Sequence, residues 1–280
     1  MLSGLRRILR SFLRPRKKVD VVIAYYGETR QLKQYISFLN EFPNVTLYLY
    51  DKKNDPSVST ILARARFETK IIPLRNTGGA IHTYLHHLTS NYESLSDITL
   101  FCLGSGFRGR SKLRKSVWLL KNYWRCQGFS SENIFVSIDS DINFELPVYE
   151  SAYWGPVEQV RAEPFPLDDW ISAHTGHGSD SKPLKKFLRT NKDTFAVTRE
   201  VAQLRSKEFW VKLLAQFTPD GEGYNLEAIH FLERAWILAF FPPSMKNDCK
   251  SQELVPYPPY CPKSVLDWNK KRQGWKIPIH

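Results

Sequence analysis

A glycine turn between an apolar segment and a helical pattern is the first place in this sequence where backbone groups could do chemistry. Ile71, Ile72 and Leu74 lead into Asn76–Gly79, and the residues from the turn to about Asn91 predict a helix. Such a helix directs unpaired backbone N–H groups and a partial positive charge at the space in front of it. That suits an anion such as a phosphate, although a plain strand-to-helix connection has the same pattern.

Two carboxylates could hold a metal ion. Asp139 and Asp141 follow an apolar segment and are separated by one residue. Many sugar transferases use an Asp-x-Asp pattern of this kind to hold a divalent ion, Mn or Mg, against a nucleotide diphosphate, because hard oxygen ligands two apart can reach one ion. A polar turn has the same sequence, so both interpretations stay open.

Histidines and one charged pair are further candidates. His82 and His86 are four residues apart, as in zinc sites, but no third ligand is evident. We therefore interpret His82 as a hydrogen-bonding group near the turn. Glu233 and Arg234 stand in a very apolar helical segment, which favours either a buried salt bridge or a functional site.

The elements that must position these groups alternate between strands and helices. Five short apolar strands are predicted, and the helical patterns between them indicate a mostly parallel, twisted α/β sheet with helices on both faces. The strands are Val19–Tyr26, Val45–Tyr50, Lys70–Leu74, Ile98–Leu103 and Ile134–Ile138. Two later helices are expected over Arg199–Phe217 and Tyr224–Phe241. Ligands of such sheets bind at the carboxyl ends of strands, where Tyr25 to Glu28, Asp51, Asn76 to His82 and Gly104 to Arg110 all fall.

The positive charge is concentrated in two segments. Residues 1–18 and 105–125 each carry seven Lys and Arg and no Asp or Glu, which accounts for the net charge of +12. A diffuse nucleic-acid surface is not favoured, and no nucleic-acid-binding signature accompanies the charge. Arg108, close to a strand end, could pair with a diphosphate.

The chain is expected to form one α/β domain over residues 19–280, preceded by a basic amphipathic segment at 1–18. That segment could lie on an anionic membrane surface or be a disordered tail, and a transit peptide is less favoured. An irregular, aromatic-rich insertion at 142–190 is the predicted acceptor loop region, and a proline-rich tail at 256–280 is expected to wrap the body. Four scattered cysteines and the lack of a spanning segment predict a cytoplasmic protein, with peripheral membrane attachment as an alternative.

Six segments resemble an uncharacterised glycosyltransferase-like family. Their order and spacing match that family from about residue 19 to 243. They are Tyr25-Tyr26-Gly27-Glu28, Pro73-Leu74-Arg75-Asn76-Thr77-Gly78, His82-Thr83-Tyr84-Leu85-His86-His87, Asn91-Tyr92-Glu93-Ser94-Leu95-Ser96-Asp97-Ile98-Thr99-Leu100-Phe101, Phe195-Ala196-Val197-Thr198-Arg199 and Phe231-Leu232-Glu233-Arg234-Ala235-Trp236.

The resemblance implies a nucleotide-diphospho-sugar transferase of the GT-A type, which passes a sugar to a hydroxyl of a glycan or a lipid-linked glycan. It places an acidic residue at the end of strand two, which is Asp51 here. The other expected donor-binding residues are Tyr25, Glu28, Asn76, Gly78, His82, Arg108 and Arg199. Glu233 is the expected catalytic carboxylate and Asp169 the second candidate, with Arg234 as a catalytic cation.

Two departures from the family pattern leave alternatives open. Gly79-Ala80 replaces a charged Arg-Glu pair, and Leu103-Gly104-Ser105 replaces Gln-Gly-Asp after the fourth strand. Metal dependence would therefore rest on Asp139 and Asp141 or be absent. A catalytically inactive member that binds glycans or a partner is the main alternative, and a peripheral membrane protein is another.

Overall fold

The computed structural model describes residues 17–42, 44–107, 116, 119–120, 128–131, 134–136, 162–178, 187–190, 194–217 and 226–244. Four predictions lie outside these residues and stay predictions: the amphipathic segment 1–16, Arg108, the Asp139/Asp141 pair and the tail 256–280. The strands are β1 Val19–Tyr25, β2 Val45–Asp51, β3 Glu68–Pro73, β4 Ile98–Leu103, β5 Phe129–Ser130, β6 Ile134–Val136, β7 Leu188–Thr190 and β8 Phe195–Thr198. The α-helices are α1 Thr29–Leu39, α2 Val58–Leu62, α3 Gly79–Ser90, α4 Leu167–Thr175, α5 Arg199–Ala202, α6 Lys207–Ala215 and α7 Leu226–Phe240, with 3-10 turns at Tyr92–Ser94 and Gly104–Phe107.

Six strands form the main sheet in the order β3-β2-β1-β4-β8-β5. The first four run parallel, whereas β8 lies antiparallel to both β4 and β5. This confirms the prediction of a mostly parallel α/β sheet. The prediction of a fifth parallel strand at Ile134–Ile138 was wrong: the place beside β4 belongs to β8, and Ile134–Val136 pairs antiparallel with Leu188–Thr190 in a separate two-stranded sheet.

Both faces of the sheet are covered, as the run of apolar residues in β1 requires. Val21 and Ile23 face one way and join a core with α1 and α2, while Val22 faces the other way and packs with α3, α6 and α7. Successive strand residues point to opposite faces, and every apolar residue of β1 except the partly buried Ala24 is buried. Each such side chain stabilises the fold by about 1.5–3 kcal/mol.

Two regions differ from their predicted form. The single helix expected over Arg199–Phe217 is two helices, because the Ser206 hydroxyl accepts the backbone N–H of Phe209 and begins α6 as a new N-cap. The described part of the predicted insertion at 142–190 includes one helix, α4, and one short strand, β7, with residues 162–166 and 176–178 in neither. Cys102 is a buried free thiol. Among the helices described, none has the length and apolarity needed to cross a membrane.

Candidate functional site

The direction of chain connection reverses between β1 and β4, because β2 lies on one side of β1 and β4 on the other. Open α/β sheets bind ligands in the crevice outside the carboxyl ends of the strands at such a switch point. Here the loops on either side of the crevice are Tyr26–Glu28 and Gly104–Phe107. The residues predicted for the donor side fall mostly at this edge, which we call the carboxyl edge.

The two crevice loops approach each other closely. A Cβ atom at Gly104 would lie 2.5 Å from the Ala24 carbonyl oxygen and 2.8 Å from Glu28 Oε2. Glu28 Oε2 also accepts a 2.6 Å hydrogen bond from the backbone N–H of Tyr26. Glu28 is therefore at the predicted place, but its carboxylate holds the turn after β1.

Tyr25 and Asp51 end neighbouring strands at the same edge. The Tyr25 hydroxyl donates to Asp55 Oδ2 at 2.7 Å, and burial raises the pKa of Tyr25 to about 12. Asp51 is buried, and its two oxygens accept the backbone N–H groups of Lys53 at 3.0 Å and Asp55 at 2.8 Å. Both residues thus shape the loop after β2.

Lys52 is a site residue that the sequence did not single out. Its side chain is only 7% exposed, and Nζ donates to the carbonyl oxygens of Thr77 and Gly79, both at 2.6 Å. Burial lowers the pKa of Lys52 to about 8. Within the described residues no carboxylate pairs with this ammonium, since Asp51 is engaged by backbone N–H groups.

The glycine turn that precedes α3 depends on Gly78. Its φ of +54° is a left-handed conformation, and an added Cβ would lie 2.7 Å from His82 Cβ and 3.1 Å from the Phe217 carbonyl oxygen. Thr77 Oγ1 donates to that same carbonyl at 3.3 Å. The Asn76 side chain is exposed. The predicted strand, glycine turn and helix N-terminus are thus present.

His82 lies on the first turn of α3 and is 6% exposed. Its Nδ1 has no hydrogen-bond partner, and its ring stacks on His86 at 6.2 Å between centroids. Burial and the Lys52 ammonium lower the pKa of His82 to about 4, so the ring is neutral at pH 7. Across the described ranges no group of three or more His, Cys, Asp or Glu side chains could hold a metal ion.

Helix α7 runs from the carboxyl edge towards the amino ends of the strands. Trp236 packs on Phe195 at 5.0 Å between ring centroids, and Phe195 pairs with Phe101 near the end of β4. One turn later Phe240 packs on Phe129, whose partner in β8 lies further from the carboxyl edge. The part of α7 that precedes Trp236 therefore lies towards the carboxyl edge.

Glu233 and Arg234 belong to that part of α7. The Glu233 carboxylate contacts His230 Nδ1 at 3.2 Å and is 22% exposed, while the Thr190 hydroxyl donates to the Glu233 carbonyl at 2.6 Å. Arg234 donates from Nη1 to the His230 carbonyl at 2.8 Å. The sequence left open a buried salt bridge between Glu233 and Arg234 or a functional site. The salt bridge is not formed, because the partner of the Glu233 carboxylate is His230.

Asp169 and Arg199 are not brought together with these groups. Asp169 is exposed on the first turn of α4, whose Trp170 packs on Phe231 of α7. Because Phe231 is two residues before Glu233, their side chains are about 200° apart around α7. Helix α4 therefore packs on the side of α7 that faces away from Glu233. Arg199 contacts Asp97 at 3.4 Å beyond the amino end of β4, and a six-residue strand separates it from the carboxyl edge by about 17 Å.

No protein-family model matches this chain, and no curated protein matches it. Solved structures with a similar chain path include mannosyl-3-phosphoglycerate synthase from Rubrobacter xylanophilus, at 10% identity, a TM-score of 0.35 and coverage of 70% of this chain and 57% of that one. Glucosyl-3-phosphoglycerate synthase from Mycobacterium tuberculosis matches at 13% identity and a TM-score of 0.32, with 66% and 58% covered.

A third similar structure is 4-diphosphocytidyl-2C-methyl-D-erythritol synthase from Anaerococcus prevotii, at 11% identity and a TM-score of 0.35, with 78% of this chain and 85% of that one covered. The chain spans less than three fifths of the length of each of the two phosphoglycerate synthases. Similarities of this size carry no conclusion on activity.

Proposed function

We propose that this protein is a glycosyltransferase, which moves a sugar from a nucleotide-diphosphate donor to a hydroxyl of a glycan or lipid-linked glycan. One observation carries the proposal: three segments far apart in the sequence converge towards the carboxyl edge of a parallel sheet, beside its switch point. These segments are Tyr25–Glu28, Asn76–His82 and Phe231–Glu233. They belong to four of the six segments that resemble the glycosyltransferase-like family.

On the donor side, the loops after β1, β2 and β3 would hold the nucleotide diphosphate. Asn76 is exposed for contact, Gly78 lets the backbone of the turn approach a ligand, and His82 has a free ring nitrogen. Arg108 remains a proposed cation for the diphosphate. A divalent ion, if used, would bind Asp139 and Asp141, because Gly104–Phe107 after β4 contains no carboxylate.

On the acceptor side, we propose Glu233 as the general base. Its carboxylate takes the proton of the acceptor hydroxyl while the acceptor oxygen bonds to the anomeric carbon. The bond between that carbon and the diphosphate oxygen breaks, and the nucleoside diphosphate leaves with the electron pair. His230, 3.2 Å from Glu233 Oε2, positions the carboxylate. Asp169 is the second candidate, although its exposure on α4 gives it no such support.

The test combines binding and turnover. Calorimetric titration with a panel of nucleotide sugars identifies the donor, and product formation with glycan acceptors measures transfer. Glu233→Gln should lower turnover by a factor of about 10²–10⁴ while donor affinity is kept. Glu200→Gln, an exposed substitution beyond the amino ends of the strands, is the matched control. Undiminished turnover in folded Glu233→Gln, with a loss in Asp169→Asn, would move the base to Asp169.

A binding protein without catalysis is the second candidate, and the turn after β4 favours it. Leu103 and Ser105 stand where the resembling family has Gln and Asp, so this turn lacks the family's carboxylate. Gly79-Ala80 also lacks the charged pair of the resembling family. Donor or glycan binding with no product from any donor and acceptor pair would support this candidate. Liposome co-sedimentation with and without residues 1–17 tests membrane attachment, and equal recovery would reject it.

A further inference from the structure

A buried ammonium stands at the start of α3 with one donor to spare. Lys52 Nζ carries three N–H bonds, and the described contacts use two of them, on Thr77 and Gly79. A buried cation is costly unless an anion or enough acceptors compensate it. Two neutral carbonyl groups at a helix N-terminus are poor compensation, because the partial charge of that helix end is itself positive.

A second buried polar group, the ring of His82 on the first turn of α3, has a nitrogen without a hydrogen-bond partner. His82 is 94% buried, and its Nδ1 makes no hydrogen bond with any atom of the described chain. Side chains of a helix lean towards its N-terminus, and the Cβ of His82 lies against Gly78, which precedes the first turn. Buried polar atoms are nearly always hydrogen-bonded, so an unpartnered one points to a missing ligand.

The backbone supplies the remaining donors. The first N–H groups of a helix have no partner within it, and α3 begins at Gly79 directly above the Lys52 contacts. Gly78 and Gly79 both have positive φ, at +54° and +55°, so no Cβ stands between the turn and an approaching group at either position. The Lys52 ammonium, the His82 side chain and the free N–H groups thus all border the turn at Thr77–Gly79.

We propose that Lys52, His82 and the first turn of α3 form a binding site for a phosphate or diphosphate group. The anion accepts hydrogen bonds from the third N–H of Lys52, from the His82 ring in the tautomer protonated at Nδ1, and from the free N–H groups of the turn. The presence of the site stands on this geometry. The identity of its ligand rests on the proposed function, which supplies the donor's diphosphate, while a phosphorylated acceptor offers the same chemistry.

Titration of the full-length protein with inorganic pyrophosphate, uridine diphosphate and uridine tests the assignment. Lys52→Met keeps most of the side-chain volume and should weaken pyrophosphate binding by about 10–100-fold, the loss of one charge-assisted contact. Lys70→Met removes the same charge from the exposed strand β3 and should leave the affinity unchanged. His82→Phe keeps the ring that stacks on His86 and should weaken binding about 5–10-fold.

The three ligands distinguish failure of the anion site from failure of the proposed transferase function. If pyrophosphate and uridine diphosphate both weaken in Lys52→Met, the site holds a donor diphosphate. If pyrophosphate weakens but no nucleotide or nucleotide sugar binds, the anion site stands and the transferase proposal fails. Equal pyrophosphate affinity of the wild type and folded Lys52→Met, or no binding to the wild type, overturns the site. Should Lys52→Met not fold, unchanged affinity in His82→Phe overturns it.

Discussion

Lys52 is buried and Arg205 is half-buried, and both donate to backbone carbonyl groups, but they do so at opposite ends of helices. Arg205 donates from Nε to Ala239 at 2.9 Å and from Nη2 to Thr175, Leu238 and Phe241 at 2.8, 2.9 and 3.3 Å. These carbonyl groups belong to the C-terminal ends of α4 and α7, which carry partial negative charge. Lys52 has two carbonyl partners, at the positive end of α3.

The difference fits a structural role for Arg205 and the ligand-binding role proposed for Lys52. Arg205 caps the C-terminal ends of two helices by donating to carbonyl groups that no helix N–H can reach. Its guanidinium carbon also lies 4.4 Å from the centroid of the Phe209 ring. Lys52 makes two hydrogen bonds at a positive helix end, whereas Arg205 makes four at negative ends, and burial lowers the pKa of both, to about 8 and about 10. A buried charge that the protein compensates poorly marks a candidate functional site, because a bound anion would compensate it.

Removal of Arg205 should have the largest effect on stability. Arg205→Met leaves several helix-terminal carbonyl groups without a donor in a half-buried place, and we expect the free energy of unfolding to fall by about 4 kcal/mol. Urea denaturation at pH 7 measures this. Arg205→Lys, which keeps the charge with fewer donors, should lose about half as much. A loss below 1 kcal/mol for Arg205→Met would remove the contrast with Lys52.

Each cation has a left-handed glycine beside it, and the two glycines should differ. Gly78→Ala, next to the Lys52 contacts, places a Cβ against His82 and the Phe217 carbonyl and should cost about 3 kcal/mol. Gly176→Ala, next to the Arg205 partner Thr175, meets only Pro243 Cγ at 3.4 Å. It should cost about 1 kcal/mol, from the positive φ alone. Equal losses in thermal melting would show that the glycine turn is not tightly packed.

Acid should destabilise the Lys52 region through His82. The pKa of His82 is about 4 in the folded chain and 6.5 ordinarily, so between these values the unfolded chain binds one more proton. The free energy of unfolding therefore falls as the pH is lowered, and His82 contributes about 2 kcal/mol of that fall between pH 8 and 5. Urea midpoints of wild type and His82→Phe over this range measure the contribution. Parallel curves would contradict it.

The smallest expected effect is that of Lys52→Met on stability at pH 7, within about 1 kcal/mol of wild type. The loss of two hydrogen bonds is offset by removal of a desolvated charge, whose burial costs about 3 kcal/mol by the shift of its pKa from 10.5 to about 8. Between these pH values the unfolded chain binds more protons at this residue. The wild type should therefore gain up to about 1.4 kcal/mol per pH unit relative to the variant as the pH rises above 8.

Strands and their edge were readable from the sequence because buried parallel strands are continuous apolar runs. β4 has the predicted bounds, and β1 and β2 differ from prediction by one residue. The place of β8 in the main sheet could not be predicted, because antiparallel pairing with β4 depends on residues about 100 positions away.

The hydrogen-bond partners of Lys52 and Arg205 could not be predicted from sequence patterns. Lys52 follows Asp51 in a cluster of turn residues, and only the three-dimensional path of the Asn76–Gly79 turn above it reveals the buried contacts. Its position directly after a strand end was the one available signal. Arg205 gave none, because its partners are carbonyl groups of other helices. The spacing of His230 and Glu233, three residues apart in a predicted helix, was a signal that the sequence did offer. Asp169 and Arg199 were plausible by residue type, and topology separates them.

The pairing of β8 with β4 has a consequence for the order of folding. β1 and β2 pair over a separation of 26 residues, whereas β4 and β8 pair over 94 to 100. Closing the longer loop costs about 1 kcal/mol more in chain entropy, so the parallel half of the sheet can form first. Until β8 arrives, β4 is an open edge with apolar residues on both faces, the kind of surface through which slow-folding chains associate.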